Sequence, residues 1–457
     1  PDALPIQTGQ MKERIEGKYT YRGIWQVAYP ILISLFMEQM IGMTDTAFLG
    51  RVGEIELGAS AIAGVYYMVI FIVGFGFSLG SQIIIGRRNG EGKYADAGKI
   101  FWHGLYFLLC LAAAMIVLSE ALSPRLMSGM VSSDRILDAA LTYVRWRIPG
   151  LFFAWTTAMF RAFYIGTMQT RTLTLNSIVM VLSNVVFNWI LIFGHLGFPA
   201  LGIAGAAIGS TLAELVSLIF FLVYTATKTD TRKFGLDRPA RFEWKELKGM
   251  LNISVWTMIE NFLSVSTWFI FFLFVEHLGE RSLAVSNIVR NVSGLIWVVL
   301  MAFSSTCSTL VSNMIGSGDQ DRVPGLILRV MKMGYAIISI IIALFAIFPE
   351  QVIGIFTDMP EITDATVPAM LVMASSYLIN TAGNICFNAS IGTGNTRTVF
   401  VLEAIALIIY LGYCTIVCTI LKADIAVCWT AEHVYALAML VLCGLYLRSG
   451  RWKGKKI

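Results

Sequence analysis

Apolar residues run along this chain in long blocks separated by short polar segments. They do not follow the period of a half-buried helix or strand, so block length carries the reading. A helix needs roughly 20 apolar residues to cross the hydrocarbon layer. Leu57–Ile85, Leu326–Phe348 and Val399–Leu421 reach that length with few or no charges. The pattern predicts twelve spans, at 24–49, 57–85, 100–119, 141–165, 172–194, 203–226, 250–275, 283–315, 326–348, 366–390, 399–421 and 425–447.

Composition agrees. Of the 457 residues, 57% are hydrophobic and 14% charged, with mean hydropathy +0.72. Soluble domains carry roughly 25% charged residues, so this chain lacks the polar surface to solvate a body of its size. The seven cysteines lie in or beside apolar blocks, with no Cys-x-x-Cys pair, which argues against disulfides and zinc. The four histidines, His103, His195, His277 and His433, are scattered. A membrane-embedded enzyme needs a clustered constellation, and none is visible. No Walker A sequence is present, which speaks against ATP-driven transport. Neither an enzyme nor a cofactor is expected.

The polar segments set orientation through their Lys/Arg asymmetry. Lys12, Arg14, Lys18 and Arg22 precede span one, and Arg87, Arg88, Lys93 and Lys99 follow span two. Lys228, Arg232, Lys233, Arg238, Arg241, Lys245 and Lys248 fill the central linker, and Arg448, Arg451, Lys453, Lys455 and Lys456 follow span twelve. All share one side. The other has Arg51, Arg125, Arg135, Arg281 and Lys422. Both termini are therefore expected in the cytoplasm. The linker reads as positive-inside topology, not as a nucleic-acid patch. The polar start, Pro1–Gln10, precedes Met11 and is expected to be part tag.

An internal repeat gives the organisation. Gly53-Glu54 and Gly279-Glu280 precede spans two and eight, and Gly90-Glu91-Gly92 and Gly316-Ser317-Gly318 follow them. Ile165-Gly166-Thr167-Met168-Gln169-Thr170-Arg171-Thr172 follows span four, and Ile391-Gly392-Thr393-Gly394-Asn395-Thr396-Arg397-Thr398 follows span ten. The offset is 226 at all three places (279 − 53, 316 − 90, 392 − 166). Six spans per half is an even number, so the halves share one orientation. The expected fold is an all-α integral membrane protein, with two six-helix bundles related by a pseudo-two-fold axis along the membrane normal and a cavity between them. The expected parts are a tail at 1–21, an N-lobe at 22–226, a basic linker at 227–249, a C-lobe at 250–448 and a tail at 449–457.

Two six-span halves, an aspartate in span one and the Gly-x-Gly-x-Thr-Arg turn after span ten resemble the multidrug and toxic compound extrusion family. Pro30 and Met43-Thr44-Asp45-Thr46 match its span-one pattern of a proline followed by aspartate-threonine. The resemblance covers Arg22 to Arg448. It implies a secondary active antiporter of the bacterial inner membrane, monomeric and lipid-embedded. Such a protein exchanges cytoplasmic organic cations or other small amphiphiles for Na⁺ or H⁺ by alternating access.

Ionisable groups inside a membrane cost at least ~2.5–3.5 kcal/mol each, so those present need an explanation. The deep candidates are Glu38, Asp45, Arg161 and Glu214, then Glu260, Arg290 and Glu403. Asp45 lies near the middle of span one. Asn184 and Asn188 in span five are i and i+4, on one helical face, and span six carries Ser210 one turn after Ala206. A carboxylate, amide oxygens, a hydroxyl and a backbone carbonyl suit a hard cation. The resemblance places the first-lobe coupling site on Asp45, Asn184, Asn188, Ser210 and Ala206, with Asp45, Asn184 and Asn188 as metal ligands if the ion is Na⁺. Asn188 departs from relatives with a second aspartate there. The alternative is that these groups only bind helices together, at ~0.6 kcal/mol per bond.

Glu260 offers a second lead. One branch of the family pairs this glutamate with an aspartate of span ten, where this chain has Asn380. Asn380 and Asn384 still offer polar lining. Glu260 either binds a cation or pairs with Arg290. Glu38 either assists proton traffic at Asp45 or reaches to an interface. Arg161 and Glu214 read as structural or gating charges, and Arg145 and Arg147 as near-interface basics. Pro30 is either the kink of a helix that bends on ion binding or an ordinary proline near a helix start. The rival function is a lipid-linked oligosaccharide flippase of the same superfold. The small basic set inside the spans favours a cationic substrate instead.

Overall fold

The computed structural model describes residues 19–129, 131, 133–357 and 359–454. The polar start, Lys12, Arg14, Lys18, Lys455 and Lys456 lie outside the described residues. Every regular element among those described is helical. The first half holds α1 (Tyr21–Val52), α2 (Glu54–Gly90), α3 (Tyr94–Ser128), α4 (Asp134–Arg147), α5 (Leu151–Gly166), α6 (Arg171–Phe193) and α7 (Gly202–Lys228). The second holds α8 (Trp244–Glu276), α9 (Glu280–Gly316), α10 (Val323–Ile347), the short α11 (Pro349–Ile353), α12 (Pro360–Gly392), α13 (Thr396–Cys414), the single turn α14 (Ile425–Cys428) and α15 (Ala431–Arg448).

Eleven of the described helical segments are long and apolar enough to cross a membrane. The twelfth span predicted, at 141–165, is corrected from one helix to two. A 3₁₀ turn at Ile148–Gly150 separates α4 from α5. Pro149 has no N–H to continue the helical ladder. Gly150 lets the break pack closely, since a Cβ there would lie 2.9 Å from Thr211 Oγ1 and 3.0 Å from Glu214 Oε2. Leucines and isoleucines such as Ile408 (70% exposed) and Ile420 (69%) lie open on the helix surfaces. Lipid, not water, is the solvent such surfaces fit.

Two compact units emerge. One is Ile33–Met258; the other joins the described part of Pro1–Leu32 to that of Ile259–Ile457. The division falls inside α1, just past Pro30. In the first unit, α2 and α5 meet where Trp155 covers Gly74, its Nε1 donating to the Phe71 carbonyl at 3.1 Å. Small residues of this kind let membrane helices approach closely. α6 and α7 meet at Gly205, where a Cβ would lie 2.5 Å from the Leu191 carbonyl oxygen. In the second unit, α12 and α15 meet at Gly383, whose Cβ would lie 2.8 Å from the Ala436 carbonyl oxygen.

The repeat is visible in the geometry of each unit. α2 and α9 are both 37 residues long and begin and end 226 apart (280 − 54, 316 − 90). Gly92 (φ +74°) and Gly318 (φ +85°) turn the chain through the left-handed region after each. Gly166 packs on the Gln82 carbonyl and Gly392 on the Ser308 carbonyl, and 308 − 82 is again 226.

Candidate coupling site

Asp45 is half-buried on α1. Asn188 Nδ2 donates to its Oδ1 at 2.5 Å, and Ser210 Oγ donates to its Oδ2 at 3.0 Å. The same Asn188 nitrogen reaches Asn184 Oδ1 at 3.2 Å, and Asn184 Nδ2 donates to Ser210 Oγ at 3.2 Å. Asn184 and Asn188 are fully buried, with Ser210 at 7% exposure and Ala206 at 1%. Three helices thus bring four polar side chains into one ring. The i, i+4 spacing on α6 aims both amides at α1 and α7. Gly209 makes the room, because a Cβ there would run into Asn188 Oδ1. That Asn188 oxygen is buried and accepts no hydrogen bond from the described residues.

Beside the ring lies a buried ion pair: Arg147, expected near an interface, places Nη2 2.6 Å and Nη1 2.8 Å from the two Glu214 oxygens. Its guanidinium sits 4.0 Å from the Tyr67 ring centroid. The Tyr67 hydroxyl donates to Glu214 at 3.3 Å. Arg147 acts electrostatically on Asp45 as well. A signal was available: Arg145 and Arg147 stand in the last turn of α4 just before Pro149-Gly150, and a helix end there lies at the depth of Glu214.

Glu38 does not join Asp45. It pairs with Arg161, and Ser34 Oγ donates to Glu38 at 3.3 Å. Ser34 also meets Ser177 at 2.7 Å. Pro30 stands in the tenth position of α1, well inside the helix.

In the second unit, no Glu260–Arg290 pair forms among the described residues; Arg290 lies 5.4 Å from the Phe272 ring centroid. Asn261 Nδ2 donates to Glu260 at 3.0 Å, and Glu260 lies near Glu403 on α13. Ser264 and Tyr435 donate to Glu403 Oε1. Asn380 and Asn384 are not bonded to Glu260; Asn384 instead accepts from Asn388 at 2.9 Å.

Comparison with known proteins follows this geometry. A family profile described as MatE matches residues 30–190 and 257–416, more than half of the chain. The two matches are offset by 227 and 226 residues (257 − 30, 416 − 190), in step with the repeat. The probable multidrug resistance protein NorM of Thermotoga maritima is 25% identical over 390 residues, covering 84% of this chain and 82% of that protein. The multidrug resistance protein MdtK of Yersinia pseudotuberculosis is 23% identical over 385 residues, covering 83% of each. An outward-facing multidrug resistance MATE family transporter of the MOP superfamily superposes with TM-score 0.86, at 18% identity over 94% of this chain and 95% of that one. A MOP superfamily transporter from Pyrococcus furiosus gives TM-score 0.85, at 18% identity over 94% and 96%.

Proposed function

The chain belongs to the MatE family, whose members are transporters and not enzymes, and on that premise we propose that it is a secondary active multidrug efflux antiporter of the bacterial inner membrane. It exchanges cytoplasmic organic cations for Na⁺ or H⁺ by alternating access, as a monomer with both termini in the cytoplasm. Asp45 is the coupling acid.

One observation carries this reading. Asn188 and Ser210 each donate to one Asp45 carboxylate oxygen and close a ring with Asn184 that joins three helices. Asp45, Ser210 and Asn184 bring oxygen atoms to this ring, the ligand type that suits Na⁺. A proton on Asp45 is the other way to carry a charge here, since Asn188 is an amide and does not titrate. Asn184 and Ser210 orient the ring. Pro30 gives α1 a missing N–H in its interior, a place for bending as the ion comes and goes. An ion shifts the transporter between states only by its differential affinity for them. The names of the relatives support small organic molecules as the exported class.

The test is ethidium export from bacterial cells stripped of their own pumps. Wild type exports the dye and Asp45→Asn, which keeps the shape and loses the charge, does not. Export by the variant at the wild-type rate removes Asp45 from the mechanism. Failure of the wild type with every organic cation tried moves the assignment to lipid-linked oligosaccharides.

A further inference from the structure

The ring at Asp45 and the ion pair at Glu214 share one face of one helix. Ser210, which donates to Asp45 Oδ2, and Glu214, which receives Arg147, stand i and i+4 on α7. Side chains so spaced are neighbours, with about 5–6 Å between their Cβ atoms. The residue after Ser210 adds a fixed point. Thr211 Oγ1 donates to the Trp146 carbonyl at 3.2 Å and ties the end of α4 to the same turn. Arg147 is thereby brought to the flank of the ring, and its charge reaches Asp45.

The guanidinium is nevertheless turned to Glu214. Nη1 and Nη2 each donate to one Glu214 oxygen, and neither bonds Asp45 among the described residues. Two neighbours fix that choice. The Tyr67 ring lies against the guanidinium, and its hydroxyl donates to the same carboxylate. Gly150 closes over the pair, since a Cβ there would lie 3.0 Å from both Arg147 Nη1 and Glu214 Oε2. The titratable groups around Arg147 are Glu214, Tyr67 and Tyr143. Only Glu214 answers its charge in full.

The charge count gives this arrangement its meaning. Asp45, Glu214 and Arg147 together carry two negative charges and one positive. Paired with Glu214, Arg147 is neutralised. The ring then keeps the single negative charge of Asp45, which one monovalent cation cancels. Without Glu214, Arg147 is the basic side chain that acts on Asp45, and a guanidinium suits a carboxylate well. At an effective dielectric constant of ~20, a unit charge about 10 Å away alters ion affinity about tenfold or more. We infer that Glu214 is a positioning residue for ion coupling: by holding Arg147 it keeps the protein's own cation off Asp45 and leaves that carboxylate to a cation from solution. The inference rests on Asp45 as the coupling acid, and it assigns the tuning of that acid to a residue that does not bond it.

The test is ethidium export by the full-length protein in liposomes, with a Na⁺ gradient or a pH gradient imposed. The readout is the driving-ion concentration that gives the half-maximal rate. Glu214→Gln leaves Arg147 unanswered and raises that concentration about tenfold or more. Arg147→Met leaves Glu214 unanswered, adds a negative charge beside the ring and lowers it. Arg147→Met/Glu214→Leu removes both charges and returns it toward the wild-type value. A merely structural pair does not give opposite shifts, because lost packing weakens the site in both single variants alike. Shifts in one direction, or no shift in Glu214→Gln, overturn the inference. Where Glu214→Gln does not fold, Arg147→Met is set against the double variant, and a half-saturating concentration no lower than the double's overturns the inference. Asp45→Asn measured alongside keeps the two claims apart. Export by that variant at the wild-type rate, or no export by the wild type under either gradient, removes the coupling reading and the inference with it. Loss of export in Asp45→Asn with an unmoved Glu214→Gln removes the inference alone.

Discussion

Arg147→Met tests whether the buried ion pair holds the first unit together. The guanidinium makes two short bonds to Glu214, and the side chains are 12% and 8% exposed. Removing one partner of such a pair strands the other charge and costs about 3–5 kcal/mol. For a unit of about 150–250 residues, 1 kcal/mol corresponds to about 2–4 °C in Tm. The single variant therefore melts about 6–20 °C lower. Arg147→Met/Glu214→Leu removes both charges in similar volume and recovers most of that loss. Its Tyr67 contact is lost in both variants, so the comparison isolates the stranded charge. The assay is tryptophan fluorescence during heating at a fixed scan rate, with fully buried Trp155 of the same unit as a reporter. A double variant that melts as low as the single one refutes the reasoning. Recovery of stability without recovery of ethidium export assigns Arg147 a further part at Asp45.

Other outcomes follow from particular contacts. Gly209→Ala pushes a methyl into Asn188 Oδ1, the free end of a side chain, so the protein folds, the amide turns away from Asp45, and export falls with little change in Tm. Gly205→Ala meets the Leu191 backbone instead, so it lowers Tm by prising α6 from α7; equal Tm values for the two variants contradict this. Ser210→Ala removes one of the two donors to Asp45, a bond to a charged group worth about 1.5–3 kcal/mol; with Na⁺ as the coupling ion the Na⁺ concentration giving half-maximal export rises about tenfold or more. Pro30→Ala restores an N–H inside α1 and slows export without lowering Tm; a faster or unchanged rate removes the bending role.

Much of this was legible in the sequence because it depends on length and spacing. Span positions follow from apolar block length, and the repeat from three matched turns. The i, i+4 asparagines, Asp45 and Ser210 were readable because helix periodicity and the family pattern place them on facing surfaces, and those residues do meet. What a linear reading could not supply was depth and partnership between spans far apart in sequence. The partner of Arg147 is hidden when its helix reads as running on to residue 165, whereas Pro149-Gly150 ends that helix beside Glu214. The family pattern points from Glu260 to span ten, whereas the acid near Glu260 is Glu403 on α13. The repeat held that answer: the Ser34–Ser177 contact, carried forward 226 residues, names both glutamates. It needed one observed contact to become usable.

The central claim is that ion binding at Asp45 drives the export of organic cations. The direct measurement uses purified protein in sealed liposomes loaded with ethidium-binding nucleic acid, with a Na⁺ gradient and a pH gradient imposed separately. The account predicts that one of the two gradients speeds ethidium across the wild-type membrane, and that neither does so with Asp45→Asn. Ethidium movement that is indifferent to both gradients, or equally driven in the variant, contradicts it.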